Sequence, residues 1–177
     1  MKLRHSIMLG MMSKIADRFH QYQPAHTLTE RLEMVKEVKG ADGIEIVYPG
    51  DFLGVTDEAI TETVTLVEDS GLPVSAVNLN VKSQKKWQQG SFTAPDPALR
   101  AQAVADMRIA MDLAAEFGTS MITCCPLIDG HNYNFQVDYL KQWGWLEEGI
   151  AEAAAYRDDV RISLEYKLNE SRNYCIL

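Results

Sequence analysis

Five short apolar segments alternate along the chain with four longer segments whose apolar residues recur at helical spacing. The short segments are continuous and rich in β-branched residues, which is typical of parallel strands covered on both faces. They comprise residues 6–9, 43–48, 73–80, 120–124 and 160–166. This alternation predicts a β-α-β-α-β-α-β-α-β order and one parallel sheet, with right-handed crossovers and the helices outside it.

The four intervening segments carry the signals of helix ends. Thr27 and Glu30 have the spacing of a capping box, and Gly40 is suited to ending the first helix. Asp96 followed by Pro97 predicts the start of the third helix, because a capping acid commonly precedes proline at the first helical position. The predicted helices span residues 27–40, 56–71, 96–118 and 138–155.

Two α/β folds are compatible with this order, an open doubly wound sheet and an arc of a (β/α)₈ barrel. A doubly wound sheet often carries a glycine-rich phosphate turn after its first strand, whereas residues 10–13 read Gly-Met-Met-Ser. The pattern therefore favours the barrel. A complete barrel typically needs about 250 residues, and the chain has 177. The sequence thus predicts an incomplete TIM-type barrel of five parallel strands and four helices, with residues 1–177 forming a single domain.

Charge and composition narrow the range of partners. The formal net charge is −8, and acidic and basic residues are mixed along the chain, which argues against nucleic acid and anionic membranes. No segment approaches the roughly 20 consecutive apolar residues of a membrane-spanning helix. Cys124, Cys125 and Cys175 have neither zinc-site spacing nor an evident disulfide pattern, so reduced thiols and a cytoplasmic location are expected.

The fifth predicted strand carries the clearest candidate chemistry. Glu165 and Lys167 are two residues apart, so their side chains project to the same side of a strand. Active sites of these barrels lie at the carboxyl ends of the strands. There, a carboxylate can bind a hard divalent ion, and an ammonium group can polarise a carbonyl oxygen. The alternative is an ion pair without a catalytic role, because structural ion pairs are common.

The longer string around this pair resembles a known signature. Residues 164–172 read Leu-Glu-Tyr-Lys-Leu-Asn-Glu-Ser-Arg, which is similar to the Leu-Glu-Tyr-Lys-x-Asn-Glu-x-Arg form of the xylose-isomerase-like, sugar phosphate isomerase/epimerase superfamily. Residues 42–49, 90–97 and 129–136 resemble, in order, the second strand, the lead into the third helix and the segment after the fourth strand of these TIM barrels. The resemblance implies that this chain is the N-terminal portion of such a barrel.

The resemblance also implies roles for individual residues of the signature. Glu165 matches a metal ligand, and Lys167 matches a residue that contacts the substrate oxygen next to the migrating hydrogen. Asn169 and Glu170 match positions that hold such ligands in place.

Three further residues are predicted to contact a sugar. Trp87 is suited to covering an apolar sugar face or, equally, to packing its own loop. Asn80 can bind a hydroxyl or cap the third strand, and His131 can face the substrate or lie on the surface. Xylose isomerases have a histidine after the second strand that helps to open the sugar ring, whereas residues 48–50 here are Tyr-Pro-Gly.

These observations leave three functions open. The first is a divalent-metal-dependent sugar isomerase that interconverts an aldose and a ketose by hydride shift, with Mn²⁺, Mg²⁺ or Co²⁺ in the complete protein. The second is a ketose epimerase that transfers a proton, and Lys167 favours the isomerase because epimerases of this superfamily usually lack that lysine. The third is a catalytically inactive half-barrel that acts as an interaction or assembly module through an open strand edge.

The chain by itself is expected to be inactive and to hold no metal tightly. A hard cation gathers several oxygen ligands, and only Glu165 is a credible one in this sequence. The sequence is interpreted as truncated, so the expected partners are a small-molecule sugar and either further copies of the chain or a complementing C-terminal fragment. The superfamily also includes a DNA-repair endonuclease branch, which the acidic balance argues against.

Overall fold

The computed structural model describes residues 3–167 and 174–176, in which nine strands and four α-helices are formed. In chain order the strands are β1 (Ser6–Met8), β2 (Ile15–Ala16), β3 (Gln21–Gln23), β4 (Gly43–Tyr48), β5 (Val74–Leu79), β6 (Met121–Cys124), β7 (Gly130–His131), β8 (Arg161–Leu164) and β9 (Tyr174–Cys175). The helices are α1 (Leu28–Lys36), α2 (Asp57–Ser70), α3 (Pro97–Glu116) and α4 (Tyr139–Ala154).

The main sheet has five strands in the order β1-β4-β5-β6-β8, and every neighbouring pair is parallel. These are the five strands expected from the apolar segments, and they follow one another in sequence order. Sequential order is a property of a barrel arc, whereas a doubly wound sheet reverses its order part-way. The prediction of five parallel strands and four helices of an incomplete barrel is therefore confirmed.

Local capping chemistry sets where the helices begin. The Thr27 hydroxyl accepts a hydrogen bond from the Glu30 amide (3.3 Å), and the Glu30 carboxylate accepts one from the Thr27 amide (2.7 Å). Asp96 and Asp138 each cap a helix, α3 and α4 respectively, with a side-chain oxygen that accepts one hydrogen bond from a backbone amide of the first turn. The end of α1 differs from expectation, because the helix ends at Lys36 and Gly40 (φ 89°) lies in a following turn.

Alternation along the strands gives the sheet two chemically different faces. The register aligns Ile46, Val77, Ile122 and Ile162 on one face, and these residues share a single apolar cluster with side chains from all four helices. The helices therefore pack on this outer face. The residues between them point to the opposite, inner face, since successive side chains of a strand alternate in direction.

Several small elements are absent from the sequence-based prediction. A 3₁₀ turn over Leu9–Met12 follows β1, and β2 and β3 form an antiparallel hairpin. The β7 and β9 strands pair as a short antiparallel ribbon. Two-residue strands carry too little hydrophobic periodicity to be recognised in a sequence.

No helix within residues 3–167 or 174–176 is both long and apolar enough to cross a membrane. Cys124, Cys125 and Cys175 are not joined in disulfides.

A buried ion pair joins α1 to the loop after β4. Arg31 and Asp51 are both buried, and the guanidinium Nη1 contacts the Asp51 carboxylate directly. The second carboxylate oxygen of Asp51 accepts a hydrogen bond from the Val47 amide at 2.8 Å. Asp51 thus closes the carboxyl end of β4 and anchors the first helix to it.

Replacing Asp51 tests this anchor. We expect Asp51→Ala to lower the free energy of unfolding by about 3–5 kcal/mol, because it leaves an uncompensated buried guanidinium. The double variant Arg31→Met/Asp51→Ala should recover much of that loss, since neither buried charge remains. Urea denaturation followed by circular dichroism measures both.

Glu33→Ala is the matched control, because Glu33 pairs with Lys36 on the exposed side of the same helix. An exposed pair contributes about 0–1 kcal/mol. A loss in Asp51→Ala no larger than that in Glu33→Ala would contradict the assigned role of the buried pair.

Candidate active site

A polar row crosses the inner face of the sheet. The Nδ2 group of Asn78 donates to Glu45 Oε1 and to Thr123 Oγ1, each at 2.8 Å. Thr123 Oγ1 in turn donates to the same Glu45 oxygen at 2.7 Å. Three neighbouring strands, β4, β5 and β6, each contribute one member. The row links these strands through side chains, and it makes the inner face hydrophilic while the outer face is apolar.

Glu165 and Lys167 lie at the carboxyl end of β8. The Glu165 amide donates to the Cys124 carbonyl at 2.8 Å, which continues the β6–β8 ladder by one residue. The position of Glu165 in that ladder places it on the inner face, two residues beyond Ser163. Lys167 Nζ pairs directly with Glu165 Oε1, and both side chains are partly exposed. The hydrogen bond from Lys167 lowers the pKa of Glu165, so the carboxyl group is ionised at neutral pH.

Lys82 and Cys125 join this pair at the same edge of the sheet. The positive charge of Lys82 acts to lower the pKa of both Cys125 and Glu165. Burial raises the pKa of the Cys125 thiol, so it remains neutral. Lys82 and Cys125 are not among the site residues predicted from the sequence. Their positions just after the third and fourth apolar segments were the signal that could have found them, because the carboxyl ends of parallel strands meet at one edge.

Cys124 belongs to the core and not to this edge. Its position in the register places it on the outer face beside Leu164. Burial raises the pKa of its thiol to about 12. Cys124 is therefore a packing residue.

Asp129 fastens two loops that border the site. Its carboxylate is fully buried and accepts hydrogen bonds from the amides of Ser91 (2.8 Å) and Thr93 (2.7 Å) and from both of their hydroxyls. The loop before α3 is thereby held against the segment after β6. Gly90, with φ 103°, allows this approach, because a Cβ there would lie 3.3 Å from Asp129 Oδ1. Both loops are segments that the superfamily resemblance singled out.

The three predicted sugar-contacting residues have different surroundings. Trp87 is 0 % exposed, with Lys86 Nζ 4.3 Å from its ring centroid, so the residue packs its own loop and a sugar contact would need that loop to open. Asn80 Oδ1 accepts from the amides of Lys82 (3.2 Å) and Ser83 (3.0 Å) and so caps the strand end. His131 is half-buried on β7 and lines a cavity.

Two predicted positions cannot be placed, because Asn169 and Glu170 lie outside the described residues.

The segment that replaces the ring-opening histidine is placed clearly. Tyr48 is buried on the outer face, with its ring 5.3 Å from that of Phe52 in an edge-to-face arrangement. Tyr48 therefore has no access to the inner face.

The donor set at this edge fits part of a divalent-metal site. Glu165 offers an ionised, partly exposed carboxylate of the kind that hard cations prefer. Within the part of the chain that the structure describes, no three His, Cys, Asp or Glu residues come together as a metal-binding group. Glu45, the other inner-face carboxylate, is bound to Asn78 and Thr123. Among the described residues, Glu165 is therefore the one candidate ligand at this edge.

A comparison with known protein families finds a match over most of the chain, and the matched range contains the polar edge described above. A family model described as "Xylose isomerase-like TIM barrel" matches residues 32–175. The chain belongs to the xylose isomerase-like TIM barrel family. The family assignment confirms the resemblance found at residues 164–172, and it includes both Asp129-linked loops and the Glu165–Lys167 pair within the matched range.

The curated relatives that match the chain at 32% identity are xylose isomerases. The chain is 32% identical over 120 residues to xylose isomerase from Thermus thermophilus, a match that covers 66% of this chain and 31% of the relative. Xylose isomerase from Thermus caldophilus matches with the same identity and coverage. The chain therefore spans about a third of the length of the curated relatives it matches.

Solved structures with the same fold cover a larger share. D-psicose 3-epimerase from Clostridium cellulolyticum H10, solved with D-tagatose, superimposes with a TM-score of 0.64 at 21% identity and covers 98% of this chain and 55% of that one. L-ribulose 3-epimerase gives a TM-score of 0.64 at 18% identity, covering 98% and 52%. At these identities the likeness establishes the fold alone.

Substitutions at Asp129 test the loop connection. We expect Asp129→Ala to lower the free energy of unfolding by about 2–4 kcal/mol, because each buried donor left without an acceptor costs about 1–3 kcal/mol. Asp129→Asn should cost much less, since its amide oxygen can still accept from the backbone and its NH₂ group can donate to the Ser91 hydroxyl. Urea denaturation of both variants provides the comparison.

The difference in the free energy of unfolding between the wild type and Asp129→Asn should depend on pH in a defined direction. Burial raises the pKa of Asp129 in the folded state above its ordinary value, against the opposing effect of the donated hydrogen bonds. The folded state then binds the proton more readily, so wild-type stability relative to Asp129→Asn is highest in acid and falls as pH rises through the folded-state pKa. Asp159→Asn is the control with the opposite sign, because the Arg157 hydrogen bond lowers the pKa of Asp159. A difference that rises with pH at Asp129 would refute this account.

Proposed function

We propose that the protein carrying this chain is a divalent-metal-dependent sugar isomerase that interconverts an aldose and a ketose by hydride shift. The observation that carries the proposal is the Glu165–Lys167 pair at the carboxyl end of β8, on the inner face of a xylose isomerase-like barrel. The isomerase relatives, matched over 66% of this chain, support the substrate class.

Glu165 would supply one oxygen ligand to the metal, which is Mn²⁺, Mg²⁺ or Co²⁺ in this proposal. The remaining ligands would come from residues other than those described. When bound, the ion supplies positive charge that polarises two neighbouring substrate oxygens. Asn169 and Glu170, by their match to the signature, would hold the ligands in orientation.

Lys167 would bind the carbonyl oxygen of the open-chain sugar. In the hydride shift the C2–H bond breaks, the C1–H bond forms, and the proton of the C2 hydroxyl passes to the C1 oxygen. Negative charge grows on the carbonyl oxygen during this step, and a positioned ammonium group stabilises it. Lys82 adds positive charge to the same edge of the sheet. Asn80 and His131 are proposed to bind sugar hydroxyls.

A ketose epimerase is the second candidate, in which Glu165 would act as the general base. A general base works best when its pKa lies near the operating pH. The Lys167 hydrogen bond lowers the pKa of Glu165 instead, which makes the carboxylate a weaker base. This observation favours the isomerase.

An assembly module is the third candidate. In the described sheet β1 and β8 are the end strands, each paired on one side. Unpaired strand edges promote association with another chain, so further copies or a complementing fragment are the proposed partners. A monomeric 19.9 kDa species by light scattering would argue against self-association.

Two substitutions separate the roles of the pair. We expect Glu165→Gln to weaken Mn²⁺ binding by at least about tenfold, in line with the loss of a charged ligand. Lys167→Met should leave Mn²⁺ bound but reduce turnover below detection, because it removes only the ammonium group that stabilises negative charge on the carbonyl oxygen. Calorimetry with Mn²⁺ and isomerisation assays with D-xylose measure the two effects in the protein that carries this chain.

Lys39→Met is the control, because Lys39 is an exposed lysine beyond the end of α1. It should change neither metal binding nor turnover. If Lys167→Met turns over substrate as fast as the control, the hydride-shift mechanism is wrong. If Glu165→Gln binds Mn²⁺ with unchanged affinity, the assignment of Glu165 as a metal ligand is wrong.

A further inference from the structure

We propose that a cavity on the outer side of the sheet binds a small α-amino acid with an apolar side chain. The cavity lies between the end of β4, the turn over Lys85–Trp87 and one face of α3, and its volume is about 320 Å³. Pockets for drug-sized ligands span about 300–1,000 Å³, so this one suits a small molecule. Neither Glu165 nor Lys167 lines the cavity, and the amino-acid site is independent of the proposed isomerase chemistry.

Helical spacing brings three side chains of α3 to the cavity wall. Gln102, Asp106 and Ile109 are four and three residues apart, so they share one face of the helix. Asp106 is 9 % exposed, and its Oδ1 atom accepts a hydrogen bond from Gln102 Nε2 at 2.6 Å. A carboxylate is thereby held in the cavity wall, largely out of water.

The other carboxylate oxygen of Asp106 faces a lysine at a longer distance. Lys86 Nζ lies 3.5 Å from Asp106 Oδ2, which exceeds the roughly 2.7–2.9 Å of a charge-assisted hydrogen bond. The same ammonium group lies 4.3 Å from the centroid of the Trp87 ring, and the lysine side chain is partly exposed. A buried carboxylate and a more exposed ammonium group therefore lie side by side, and each can still bind a closer partner.

These two charges favour a zwitterion. A ligand ammonium group would bind Asp106 Oδ2, and the carboxylate of the same ligand would bind Lys86 Nζ. An amine without a carboxylate would place a second positive charge beside Lys86, and an acid without an ammonium group would place a second negative charge beside Asp106. Both arrangements are disfavoured by repulsion between like charges. In an α-amino acid the two charged groups are attached to one carbon, which matches two opposite charges that are neighbours on the protein.

The rest of the lining suits an apolar side chain. Pro49, Val55 and Ile109 contribute apolar surface. The Tyr48 hydroxyl forms no hydrogen bond with the described residues, yet it keeps surface that is open to the cavity. Burial and the charge of Asp106 raise the pKa of Tyr48, so its hydroxyl stays protonated and can donate a hydrogen bond to the ligand.

Calorimetric titration with L-leucine tests this site in the protein that carries the chain. We expect L-leucine to bind, and we expect isoamylamine and isocaproate to bind at least about tenfold more weakly. Isoamylamine is L-leucine without its carboxylate and isocaproate is L-leucine without its ammonium group, so each loses one charged hydrogen bond. L-leucine should also shift the side-chain amide resonance of Gln102 in ¹⁵N-correlated NMR spectra, because that amide donates to Asp106.

Variants of the two charged residues assign the binding to the cavity. Asp106→Asn should weaken L-leucine binding at least about tenfold. Asp112→Asn is its control, because Asp112 is on the same helix but pairs with Arg157. Lys86→Met should remove the preference for L-leucine over isoamylamine, and Lys85→Met, at an exposed lysine outside the cavity lining, should keep it. Lys86 is itself exposed, so its variant reports on the site even if Asp106→Asn fails to fold.

Three outcomes would overturn the inference. They are the absence of L-leucine binding, equal wild-type affinity for L-leucine and isoamylamine, and an L-leucine preference that Lys86→Met leaves unchanged. None of these measurements uses turnover, so the amino-acid site and the proposed function fail separately.

Discussion

In-register pairing of five parallel strands is the constraint on which the other features depend. Because side chains alternate along a strand and the register aligns like positions, Ile46, Val77 and Ile122 fall on one face, and Glu45, Asn78 and Thr123 fall on the other. The residues of the first set pack against the helices, and those of the second set form a hydrogen-bonded row. A shift of one residue in any strand would exchange these sets, so the register simultaneously determines the core and the hydrophilic interior.

The same register brings separate loops to one edge. Residues that follow β5, β6 and β8 are distant in sequence, yet Lys82, Cys125 and Glu165 influence one another electrostatically. Among the described residues, Lys82, Lys167 and Glu165 give this edge a local excess of positive charge in a chain of net charge −8. A field of this sign would stabilise negative charge on a substrate oxygen, as the proposed isomerase requires, and the net charge of the chain gives no indication of this local field.

Stability and site geometry are linked through buried polar groups. Arg31 with Asp51, and Asp129 with its donors, each fasten a loop at or near the carboxyl end of a strand. Burial of a charge without partners is costly, so these groups are only compatible with one arrangement of their loops. The loops that carry Trp87 and His131 are thereby fixed by contacts that take no part in the proposed chemistry.

The sequence by itself determined the order and type of the main elements, because apolar periodicity and capping residues are local properties. Thr27 with Glu30, Asp96 with Pro97, and the apolar run of β4 act within a few residues of themselves. The string around Glu165 was likewise sufficient to indicate the family. Tertiary structure decided what depends on contacts between distant segments: the burial of Trp87, the loop connection made by Asp129 and the burial of Gln142. None of these has a local signature, since each is defined by residues that meet only when the strands are in register.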